Sequence, residues 1–123
     1  MPAHAFEPGA ARYQAPGAPF LSARRVSEAL GVSLTELAAL TGVARNTLTA
    51  ASCARKVDAA LSRIVRILAM ACEMAGDEGR AAVWFKHQPS PGFAGKTAYD
   101  RAREGKAEAV IDYLDGVRAG VYA

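Results

Sequence analysis

Residues 58–75 read Asp58-Ala-Ala-Leu-Ser-Arg-Ile-Val-Arg-Ile-Leu-Ala-Met-Ala-Cys-Glu-Met-Ala75. Ala60, Leu61, Ile64, Val65, Ile67, Leu68, Ala71 and Met74 recur there at the spacing of one helix face. The apolar stripe is wide, so the spacing predicts a long helix central to a core. Gly76 and Gly79 bracket the break that follows it.

Upstream the pattern stays helical back to Leu21. Ser22 is placed to cap a short helix carrying Val26, Ala29 and Leu30, with Gly31 ending it. Ser33-Leu34-Thr35-Glu36 has the form of a capping box, and the helix it opens carries Leu34, Leu37, Ala38 and Leu40. Thr41-Gly42-Val43 breaks the period, and a third helix is expected over about Ala44–Ala51, with Leu48 inward. Downstream, Glu78–His87 reads as a helix and Ser90–Gly95 as a loop. Lys96 or Thr97 opens a short helix, Glu104-Gly105 breaks it, and Ala107–Ala119 is the last helix. No stretch reads as a strand and no repeat is present, so the expected fold class is all-α.

Residues 1–21 hold four of the six prolines and no helical period, which predicts a flexible arm. The expected division is an arm over 1–21, a helix-turn-helix region with the long core helix over 22–76, and a C-terminal domain over 77–123. With 123 residues, about half of them apolar, a core is possible without staples. No run is long enough to span a membrane and no signal pattern opens the chain, so a cytoplasmic protein is expected. Cys53 and Cys72 make neither a disulfide framework nor a zinc site, and no metal or cofactor is expected.

The net charge of +3 is unevenly spread. Arg24, Arg25, Arg45, Arg55 and Lys56 face only Glu28 and Glu36 within residues 22–56, and the rest of the chain nearly balances. An excess in one segment is the footprint of nucleic-acid binding, and equally of a solvated basic face. Residues 34–51 fit a helix-turn-helix: Ala38 lies four residues before Gly42, Val43 packs under the turn, and Leu48 fixes the second helix. That helix would present Arg45, Asn46, Thr47 and Thr49 to base edges, with Arg55, Lys56, Arg24 and Arg25 on phosphates. Such proteins usually read two half-sites, so a homodimer on operator DNA is expected.

Gly95-Lys96-Thr97 lacks the first glycine of a phosphate loop, because position 90 is Ser90. His87, Tyr99 and Asp100 are not fixed beside a nucleophile, so no catalytic residue is expected. The C-terminal aromatics are the more telling feature. Trp84-Phe85, Phe93 and the sequence Gly120-Val121-Tyr122-Ala123 are spaced as no single helix explains, and an apolar-aromatic tail calls for something to dock against.

These positions resemble the antitoxins of the Xre/MbcA/ParS family. The resemblance rests on Trp84-Phe85, Pro89-x-Pro91, Phe93-x-Gly95-Lys96-Thr97, Asp100, Gly105, Val110, Leu114 and Gly120–Ala123. Two departures stand out. Thr97-Ala98-Tyr99-Asp100-Arg101-Ala102 replaces a family Thr-Pro-Leu-x-x-Leu, and Ala50-Ala51-Ser52 replaces a basic run. The resemblance implies an Xre-like helix-turn-helix bundle followed by a small helical toxin-binding domain. It implies a non-enzymatic protein that occludes the active site of a RES-domain, NAD-using toxin and represses its own operon. The toxin contacts it implies are Trp84, Phe85, Phe93, Gly95, Lys96, Tyr99, Arg118, Gly120, Val121, Tyr122 and Ala123. The alternative left open by the residues is a stand-alone helix-turn-helix regulator whose C-terminal domain dimerises or senses a ligand.

Overall fold

A computed structural model describes residues 10–15, 17 and 19–120. Among them are seven α-helices: α1 (Ala23–Leu30), α2 (Leu34–Thr41), α3 (Arg45–Leu48), α4 (Ala54–Ala75), α5 (Glu78–His87), α6 (Ala98–Arg103) and α7 (Ala107–Arg118). Single 3-10 turns lie at Ala10–Tyr13, Ala51–Cys53 and Pro91–Phe93. The described residues hold no strand, only one isolated bridge between Gln14 and Leu21. The fold is all-α.

Local sequence explains most of the boundaries. Ser22 Oγ accepts the Arg25 N–H at the start of α1. Ser33 and Glu36 cap α2 reciprocally, each bond 3.0 Å, which satisfies two N–H groups that the helix itself leaves open. Gly42 stops α2 at φ 74°, a left-handed backbone that suits glycine, and its N–H returns to Ala38 O at 2.8 Å. Asp77 caps α5 through the N–H groups of Gly79 and Arg80. Asp77 thereby absorbs Gly79 into the first turn of that helix.

The long helix α4 is the central element. Val57, Leu61, Ile64, Val65, Ile67, Leu68, Met70 and Ala71 are all buried along it. It packs against α1, α5 and α7. The expected stripe differs at three places, of which one is Ala60, only half-buried. Met74 is 42% exposed, and Met70, which the period had not included, is 1% exposed. The helix also begins four residues earlier than Asp58, so Val57 joins the core. Burial of each large aliphatic side chain contributes about 1.5–3 kcal/mol.

The expected arm over residues 1–21 lies partly outside the described residues. Its described part does not hang free. Tyr13 and Leu21 are each 3% exposed. Tyr13 Oη donates to Glu78 Oε2 at 2.8 Å, Arg12 Nη1 reaches the same oxygen at 3.2 Å, and the Leu21 N–H donates to Asp58 Oδ1 at 2.7 Å. Two apolar side chains and two anchors outweigh the prolines here. Buried residues from Tyr13 to Leu114 form one cluster, shared by the segments on both sides of Gly76.

Candidate functional site

The loop after α5 is shaped by its own backbone. The Ser90 N–H donates to Lys96 O at 3.1 Å, Phe93 N–H to Ser90 O at 2.9 Å, and Lys96 N–H to Phe93 O at 3.1 Å. Closing so tight a loop takes two consecutive left-handed residues, Ala94 at φ 54° and Gly95 at φ 85°. Gly92 lies flat on Tyr113: a Cβ there would come within 2.5 Å of the ring. Phe93 then packs against the same ring, centroids 4.7 Å apart and planes tilted by 55°, which fastens the loop to α7.

Thr97 opens α6 with a second capping box, closed by Asp100. The N–H and hydroxyl of Thr97 hold the Asp100 carboxyl below its ordinary pKa. Lys96 pairs with Glu104 and depresses that carboxyl too. Tyr99 is half-buried with its ring edge-on to Phe85, centroids 6.2 Å apart, and its hydroxyl donates to Glu36 Oε2 at 3.0 Å. Burial first, then that bond, raises the Tyr99 pKa. Lys86 Nζ likewise reaches Gly31 O at 2.9 Å. Two side chains of the C-terminal segment are thus tied to α1 and α2.

An apolar groove opens between the end of α4, α5 and α7. Met74, Ala75, Trp84, Tyr113, Leu114 and Val117 line a cavity of about 250 Å³. Trp84 is half-buried in its wall. The pairing of Arg118 with Glu73 at 4.0 Å joins α7 to α4.

The residues expected to bind a partner fall into three groups. Gly95, Lys96, Arg118 and Gly120 are exposed, and Trp84 and Tyr99 are half-buried. Phe85 and Phe93 are only 1% and 3% exposed, so in this structure they shape the surface from beneath and do not form it. Val121, Tyr122 and Ala123 lie outside the described residues. Sequence reasoning missed Gly92 and Tyr113, whose signal is a packing contact and not a motif. It missed Glu36 as a tertiary partner because its capping role already explained it.

In the region expected to form a helix-turn-helix, Leu48 is buried, Val43 is half-buried, and Arg45, Asn46, Thr49, Arg55 and Lys56 are exposed, with Thr47 half-buried. The second helix is shorter than expected, Arg45–Leu48 in place of Ala44–Ala51. Ala44 offers no side-chain cap, and Thr47 and Thr49 are poor helix formers. Arg55 and Lys56 stand instead in the first turn of α4, and the Arg55 guanidinium lies 5.9 Å above the Phe20 ring.

Residues 70–120 match the family model of the antitoxin Xre/MbcA/ParS C-terminal toxin-binding domain. The matched segment runs from the last turns of α4 through α7. It contains the whole groove, the Ser90–Lys96 loop and α6. No curated protein and no solved structure matches the chain. The match supports an antitoxin role in a toxin–antitoxin system, with a cognate toxin as partner. Among the described residues, no helix is long and apolar enough to cross a membrane.

Proposed function

We propose that this protein is an antitoxin that neutralises a RES-domain, NAD-using toxin by occluding its active site, and that it represses its own operon as a helix-turn-helix homodimer in the cytoplasm. The observation that carries the reading is the match of residues 70–120 to a toxin-binding domain. Residues 22–76 and 77–123 then divide the labour while sharing one core.

The chemistry of the inhibition follows from what an NAD pocket must contain. It offers an apolar slot for the rings and cationic or N–H donors for the pyrophosphate. Val121 and Tyr122 suit the slot. Lys96 and Arg118, both exposed, suit acidic groups at its rim. Trp84, Gly95 and Tyr99 complete the contact surface, with Phe85 and Phe93 bracing it. For DNA, Arg45 and Asn46 carry the side chains that pair with guanine and adenine. Thr47 and Thr49 flank them, and Arg55 and Lys56 neutralise phosphates.

Co-expression with the neighbouring open reading frame tests the reading. That gene alone should arrest growth and deplete NAD. The pair should restore growth and co-purify as a stable complex. Substituting Tyr122→Ala with Val121→Ala should weaken rescue while leaving the helical content intact. A neighbour without toxicity, together with specific operator binding by this chain, would replace the antitoxin reading with that of a stand-alone regulator.

A further inference from the structure

The groove between α4, α5 and α7 leaves apolar surface open that the core does not use. Trp84 is half-buried in its wall, and Met74 on its rim is 42% exposed. At about 250 Å³ it is smaller than the roughly 300–1,000 Å³ of small-molecule pockets. It is likewise too small to be an interface by itself, since a stable one buries about 800 Å² on each partner. Its size suits one or two side chains.

The turn that follows α7 lies at the groove's edge. The helix α7 ends at Arg118, and Gly120 follows in the left-handed conformation, φ 81°. The Gly120 N–H donates to the carbonyl of Val117, itself a lining residue, at 3.0 Å. That bond is half of the closure that turns a chain back over the helix it has left. The next residues are Val121-Tyr122-Ala123, and three residues reach about 10 Å at most. The described chain thus turns at Gly120 beside the rim of an apolar groove, and the two residues that follow in sequence are a branched aliphatic and an aromatic.

We propose that in the free chain Val121 and Tyr122 dock into this groove, against Trp84 and Val117. The short tether supplies an effective concentration in the millimolar range, so even a weak contact is populated. Where the same two residues also plug the toxin, a step that rests on the antitoxin reading, the toxin must draw them out. Docking then lowers the apparent affinity by the fraction of chain in which the tail is free.

Trp84 is the only tryptophan and reports on the groove directly. The experiment uses the isolated chain, so its outcome is independent of any toxin. Tyr122→Ser and Val121→Asp should each shift Trp84 emission to longer wavelength and raise its quenching by acrylamide, with far-UV circular dichroism unchanged. In the wild type, nuclear Overhauser contacts should link the Trp84 indole to the Val121 methyls. Tail variants with wild-type emission and quenching, or absence of those contacts, would overturn the proposal. So would a wild-type Trp84 signal that moves on serial dilution, which would make a second copy the occupant.

Discussion

At the scale of single residues, Glu36 holds two roles on one carboxylate. One oxygen accepts the Ser33 N–H as part of the α2 cap, and the other accepts the Tyr99 hydroxyl from α6. The Ser33 N–H is the larger reason its pKa is lowered, and the Tyr99 bond adds to it. A carboxyl depressed by folding stabilises the native state above its unfolded pKa. That contribution is lost as pH falls through the lower, native value. Glu36→Gln isolates the charge, because glutamine also closes a capping box. The variant should be less stable than wild type near neutral pH, and the gap in urea midpoint should close as the solution is acidified below the usual carboxylate range. In a Tyr99→Phe background the gap at neutral pH should shrink. A gap that is constant with pH would mean that shape at position 36, and not charge, sets the difference.

At the scale of elements, the charge at the start of α4 works against the helix. Its first turn carries Arg55 and Lys56 and no acidic residue, and Cys53 gives no side-chain cap. Cations at a helix N-terminus oppose the macrodipole, each by about 0.3–1 kcal/mol at an exposed site. Basic residues held where they cost stability fit a role on phosphates. Lys56→Glu should therefore raise stability by about 0.5 kcal/mol in urea titration while weakening DNA binding and flattening its salt dependence. A variant more stable and equally tight on DNA would remove Lys56 from the interface. This placement was half legible beforehand. The capping boxes, Gly42 and the stripe of α4 are local signals, and local signals fixed α1, α2, α5 and the core face. The short α3, the early start of α4 and the exposure of Met74 depend on what packs where. The burial of Phe85 and Phe93 is of the same kind: a motif reports that a residue type is needed, not whether it faces the partner or braces the surface from below. Tyr13 and Leu21 lay in a proline-rich stretch whose composition argued against order, and only their tertiary anchors explain them.

At the scale of the whole molecule, the segments before and after Gly76 meet in one cluster of buried residues. α4 links the two, since its first turn is basic and its last turns enter the segment matched to the toxin-binding domain. Tyr99 to Glu36 and Lys86 to Gly31 cross the same boundary at the surface. A chain built this way should unfold as one unit, as small single domains usually do. Leu61→Ala tests it, because Leu61 is fully buried on α4, well before the groove. The substitution should cost about 2–5 kcal/mol, a large part of the roughly 5–15 kcal/mol of a typical domain. Trp84 fluorescence follows the C-terminal segment, and far-UV circular dichroism follows all seven helices. In wild type and variant alike the two transitions should superimpose, and both midpoints should fall together in the variant. A Trp84 transition left at the wild-type midpoint, beside an early loss of helix, would show that the C-terminal segment holds a core of its own. The shared cluster would then be a contact between two units and not a single core common to residues 22–76 and 77–123.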